Sequence, residues 1–267
     1  MAEMQETQEN DYRLIAPEND RYRARLLLLH GLWMRPELWR PVALAFAQRG
    51  WWSEAADLRQ PASGGLENWV EAAGRYALEG DRPAIAIGYD LGALVALKLA
   101  AEGKVQAAVA VAPPLEGLGR AIAAATRFRA WFGVGEVAPP TADHPWLGTS
   151  LGSRTGMSLA RGLCPESAAL VRSCRGQALQ PAAPRVPTLL AAQEGDAIVP
   201  RFLLELTATG IEADFVVLPG GRLPMAGNRI DLWASALQRW IVQRAGADLL
   251  TLRGDEDLLD DPLSTPR

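Results

Sequence analysis

At 267 residues the chain is long enough for one large α/β domain with a small insertion, and with 49% apolar and 22% charged residues its composition excludes a disordered protein. A net charge of -4 excludes a basic nucleic-acid surface, because phosphate contacts need clustered Lys and Arg. The polar, acidic start MAEMQETQENDY has no basic-then-apolar leader, and no apolar run approaches the ~18 residues of a membrane span.

Cys164 and Cys174 stand at no metal-ligand spacing with the two histidines, His30 and His144. A cytoplasmic protein with reduced thiols, no metal and no cofactor is therefore expected.

In chain order, RARLLLLHG (23–31) is short, continuously apolar and ended by Gly31, as a buried strand should be. RPELWRPVALAFAQRG (35–50) has helical spacing, with Trp39, Val42 and Phe46 on one side and Gly50 as its stop. SEAADL (53–58) is a weaker strand, 66–79 a helix, AIAIG (84–88) a strand, 91–102 a helix ended by Gly103, and VQAAVAVAPP (105–114) a central strand. VPTLLAAQEGD (186–196), a helix from Pro200 to Thr209, the strand EADFVVLPG (212–220) and a helix over 226–245 complete the series. Strands alternating with helices predict a mostly parallel sheet covered on both faces. The Gly-, Pro- and Arg-rich stretch 115–185 shows helical pieces and no convincing strand, and reads as a helical cap between core segments 1–114 and 186–250. The remainder, 251–267, is expected to be an acidic disordered tail with a docking role open to it.

Within AIAIGYDLGALVALKLA (84–100), Gly88 and Gly92 frame Asp90 at a strand-to-helix junction. A residue held there at positive φ needs small neighbours, and aspartate tolerates that region better than most residues. The N–H groups that begin the following helix, with Leu91 first, favour negative charge at this point.

Four segments in order resemble the α/β-hydrolase family over roughly residues 20–245. LLLLHGLW resembles the strand and His-Gly turn of an oxyanion hole, which implies backbone donors at Leu32 and Leu91. AIGYDLGALVALKLA resembles the nucleophile elbow, with Asp90 at its centre. LLAAQEGDAIVP resembles the strand end that presents the acid, here Asp196. LPGGRLPM resembles the loop that usually presents the histidine, where Arg222 stands. The resemblance implies an α/β-hydrolase fold with a helical cap, and a pocket near His30, Trp33, Tyr89 and His144.

Aspartate at the elbow resembles haloalkane dehalogenases and epoxide hydrolases of this fold, whose carboxylate attacks carbon and whose histidine-activated water opens the ester. The sequence departs from both. Leu91 replaces the halide-holding tryptophan, residues 115–185 contain no tyrosine, and the tract that usually reads Asp-Leu-Arg-Gly-His-Gly is DLRQPASGG. Arginine does not give up its proton near neutral pH and so is no general base. Asp90, Arg222 and Asp196 are expected to form an ion triad, with the guanidinium between two carboxylates. Two readings follow. One is a non-hydrolytic protein that binds a small apolar or anionic ligand, or acts as a scaffold or complex subunit through its tail. The other is an active hydrolase of small apolar substrates (esters, alkyl halides or epoxides) using Asp90.

Overall fold

A computed structural model describes residues 13–59, 64–115, 135–140, 161–174, 181–196, 198–219, 223 and 229–245. Among these residues the main sheet has seven strands: β1 (Leu14–Ile15), β2 (Arg25–Leu29), β3 (Trp52–Ala56), β4 (Ala84–Tyr89), β5 (Ala107–Val111), β8 (Thr188–Gln193) and β9 (Asp214–Leu218). Their order is β1-β3-β2-β4-β5-β8-β9, with β1 antiparallel to β3 and the rest parallel. The expected parallel sheet is thus observed. β2, β4, β5 and β8 are buried along their whole length, which is why each reads as an unbroken apolar run rather than an alternating one.

Helices α1 (Arg40–Ala47), α2 (Leu66–Leu78), α3 (Leu91–Glu102), α5 (Arg201–Gly210) and α6 (Ile230–Arg244) cover the sheet, and a 3-10 turn, Pro36–Trp39, leads into α1. Trp39, Val42 and Phe46 are fully buried, as their spacing predicts. α3 is apolar almost all round because it packs against β4 and β5 on one side and α2 on another. Gly103, with φ 69°, ends it in the left-handed conformation.

The segment 115–185 differs from expectation. Two short strands, β6 (Glu136–Val137) and β7 (Glu166–Ser167), pair antiparallel and are followed by the short helix α4 (Ala168–Ser173). Two-residue strands carry no periodicity, so neither they nor β1 leave a sequence signature. The rest of the expected cap lies largely outside the described residues, as does the tail 251–267. Among the described residues no helix is long and apolar enough to cross a membrane.

The chain steps from β2 to β3 on one side and to β4 on the other, which makes the ends of β2 and β4 the place where an open α/β sheet would offer a binding crevice. Asp90 follows β4 there with φ 55° and ψ -119°, its N–H donating to the Val111 carbonyl at 3.0 Å. A Cβ on Gly88 would lie 2.1 Å from the Gly92 carbonyl oxygen, and one on Gly92 would lie 2.2 Å from the Leu29 oxygen. Backbone meets backbone at both points, so no side chain can yield. Gly88→Ala and Gly92→Ala are each expected to cost more than about 3 kcal/mol or to prevent folding, as measured by denaturant unfolding and soluble yield. Near-wild-type midpoints would overturn this account of the elbow.

Candidate functional site

β2 ends in a tight turn, Gly31-Leu32-Trp33-Met34, in which Met34 N–H donates back to the Gly31 carbonyl at 3.2 Å. The turn lies against the elbow, since a Cβ on Gly31 would lie 2.7 Å from Asp90 Cβ. Leu32 N–H donates to Asp90 Oδ2 at 3.0 Å. Asp90 has no solvent exposure. The Asp90 side chain, at the junction of β4 and α3, therefore accepts an amide of the turn that follows β2.

Asp196 follows β8, and in the sheet β5 lies between β8 and β4, so the two strands stand roughly 10 Å apart. Asp196 Oδ1 accepts Ile198 N–H at 2.7 Å and Val199 N–H at 3.1 Å, which fixes the loop leading to α5. Asp90 and Asp196 are thus both at the carboxyl end of the sheet. Tyr89, the last residue of β4, is fully buried, and Leu91 begins α3. Arg222 and His144 lie outside the described residues.

His30 is fully buried behind the turn, edge-on to Trp69 with ring centroids 4.9 Å apart. Leu58 N–H donates to its Nε2 at 3.2 Å, which assigns the proton to Nδ1, 3.1 Å from the Gly31 carbonyl. Burial lowers its pKa to about 4, against the opposing pull of that carbonyl bond. A neutral imidazole with both nitrogens engaged in the framework joins β2 to the loop after β3.

That loop holds the DLR triplet. Asp57 pairs with Arg13 at 3.2 Å, Leu58 meets His30, and Arg59 reaches Glu166 Oε1 at 3.1 Å and the Pro165 carbonyl at 2.6 Å. Arg59 also donates to the Cys164 sulfur, and the Cys164 thiol lies 3.4 Å from the Trp33 carbonyl. Both cysteines are buried free thiols, and burial pushes the Cys174 thiol up to about 11. Glu166 is 3% exposed, and burial pushes it up to about 7 although Arg59 and the Trp33 and Ser167 amides pull it down. Trp33, φ 61°, is 2% exposed, and its indole N–H donates to the Val137 carbonyl at 3.2 Å. Glu166, Arg59 and Cys164 were not predicted as site residues. Of the three, only Arg59 had a sequence signal, as part of the retained triplet.

The sequence matches the model of the alpha/beta hydrolase family over residues 26–253. No curated protein matches the chain significantly. Among solved structures it is similar to a monoacylglycerol lipase from Paleococcus ferrophilus, with TM-score 0.68 and 15% identity, covering 86% of this chain and 98% of the other. An extracellular alpha/beta-hydrolase from a Paenibacillus species gives TM-score 0.65 and 13% identity over 81% and 98%. MenH from S. aureus gives 0.65 and 15% over 87% and 98%. At these identities the likeness is one of fold.

Two buried groups give opposite pH dependences. His30, depressed to about 4 from 6.5, contributes stability that is present above 6.5 and lost as pH falls through 4. Glu166, raised to about 7 from 4.5, contributes stability that is present below 4.5 and lost as pH rises through 7. Because the windows overlap, each is read as a difference from wild type. His30→Gln should flatten the acid-side loss of unfolding free energy between pH 6.5 and 4. Glu166→Gln should gain relative to wild type between pH 4.5 and 7 and run parallel above. Parallel profiles throughout both windows would contradict these assignments.

Proposed function

The chain belongs to the α/β hydrolase family, and from that premise we propose that it is a non-hydrolytic, ligand-binding member whose proton relay has been replaced by a fixed charge network. The observation that carries this reading is the 3.0 Å bond from Leu32 N–H to Asp90 Oδ2. A tetrahedral oxyanion formed in this crevice would compete for that donor with a carboxylate already on it, and would also meet its negative charge. The histidine count supports the same reading. Of two histidines in the chain, His30 is locked in the framework, and the position that resembles the family's histidine is Arg222. An arginine there would offset much of the charge of Asp90 and Asp196, or would turn its fork to an anionic group. The ligand class that suits such a crevice is a small apolar molecule, or one with an anionic end for Arg222.

One observation favours a second reading, in which Asp90 is a working nucleophile. Asp90 holds a positive φ between β4 and α3, and a carboxylate anchored through one oxygen can attack through the other. Incubation with small alkyl halides, epoxides and activated aryl esters separates the two, with turnover and intact mass followed together. No turnover is expected. Steady turnover abolished by Asp90→Asn would overturn the non-hydrolytic reading, and a stable adduct on Asp90 without turnover would mark a nucleophile with no base to release it. For the charge network, Arg222→His should lower stability by about 1–3 kcal/mol or bring measurable ester hydrolysis. A variant unchanged in both respects would count against the network.

A further inference from the structure

Trp33 is grasped by a segment more than a hundred residues away in sequence. Its N–H donates to Glu166 Oε1 at 3.1 Å, its carbonyl accepts Cys164 N–H at 2.9 Å, and its indole donates to the Val137 carbonyl at 3.2 Å. Val137 and Glu166 are register partners in the β6–β7 pair, so this small sheet closes on a single residue of the turn. The preceding amide, Leu32 N–H, is the one on Asp90. Two successive amides of one turn therefore face two carboxylates, one from the elbow and one from the peripheral segment.

This arrangement has two costs. Trp33 holds φ 61°, a conformation that a bulky residue keeps only where its surroundings impose it. Glu166 is a carboxylate taken out of water, and Arg59 supplies its counter-charge while being fixed in turn by the Pro165 carbonyl. An apolar residue at 166 would fill the space without either cost to the charge balance, but it would leave the Trp33 N–H without this acceptor. The groups that specify the arrangement converge on Trp33, with Glu166 and Cys164 on its backbone and Val137 on its indole.

We propose that Glu166 is a positioning residue: by accepting the Trp33 N–H it holds the turn in its left-handed conformation and so aims Leu32 N–H at Asp90, coupling the β6–β7 segment to the elbow. Only the dihedrals of Leu32 separate the two amides, so a shift of Trp33 is passed to the Leu32 donor rather than absorbed along a long loop. The coupling holds whether Asp90 binds or reacts. It means that a ligand or partner which displaces residues 163–167 changes the donor available at the elbow.

Backbone amide hydrogen exchange tests this residue by residue. Glu166→Ala should raise exchange at Leu32 and Trp33 by about tenfold or more, the equivalent of a lost buried hydrogen bond, while Ile87 and Leu190 in the central strands stay near wild type. Glu166→Gln keeps the shape and an acceptor oxygen, and should give a smaller rise confined to the same two amides. That variant carries the test if the alanine variant does not fold. A rise at Trp33 with Leu32 unchanged would overturn the proposal, because the anchor would then not reach the donor. A parallel rise at all four amides would also overturn it, since Glu166 would then only stabilise the fold. So would no change at either turn amide.

Discussion

The contact on which the site depends is one without side chains, where the start of α3 presses onto the ends of β2 and β4. Gly92 sits against the Leu29 and His30 carbonyls and Gly88 sits against the Gly92 carbonyl, each too close for a methyl group. This approach forces the chain at Asp90 into a strained conformation, and the strain is offset by the packing of a helix that is buried nearly all round. It also sets the distance between the two crevice turns, so that the Leu32 amide reaches Asp90. Among the described residues, three of the four non-glycine residues with positive φ, Trp33, Asp90 and Ala112, follow the ends of β2, β4 and β5. These three lie at the carboxyl end of the central strands, where the candidate site lies.

The fold was legible because its causes are local. Each central strand is buried on both faces and so appears as a continuous apolar run, and the elbow shows as two glycines at a fixed spacing around Asp90. The interactions that finish the site have no such signature. Glu166 is 133 residues from Trp33 and Cys164 is 105 from Arg59, in a segment without repeating pattern. No periodicity argument identifies which of the acidic residues in a Gly- and Pro-rich stretch will be buried. The retained Asp57-Leu58-Arg59 triplet was visible, and its value emerges only in three dimensions, where each residue joins a different partner.

His30 and Trp33 illustrate a second limit. Each lies in a motif associated with a crevice, and residue type alone fits a pocket wall. In the fold both are almost wholly inside, and both have polar atoms committed to distant backbone. The imidazole is neutral because burial disfavours its charge, and it serves as a bracket rather than a base. A motif fixes where a residue sits along the chain. The orientation of its side chain depends on neighbours contributed from elsewhere.

Family membership fixes the framework and leaves the chemistry to the groups placed on it. In this crevice the groups are carboxylates on amides: Asp90 on Leu32, and Glu166 on Trp33 beside Arg59. An oxyanion hole works because its donors are held in place and wait for charge that develops during reaction. Here one amide of the turn already donates to Asp90 in the resting protein. The same bond ties the turn after β2 to the junction of β4 and α3. On the proposed ligand-binding reading such rigidity is of use, because preorganised groups lose little freedom on binding.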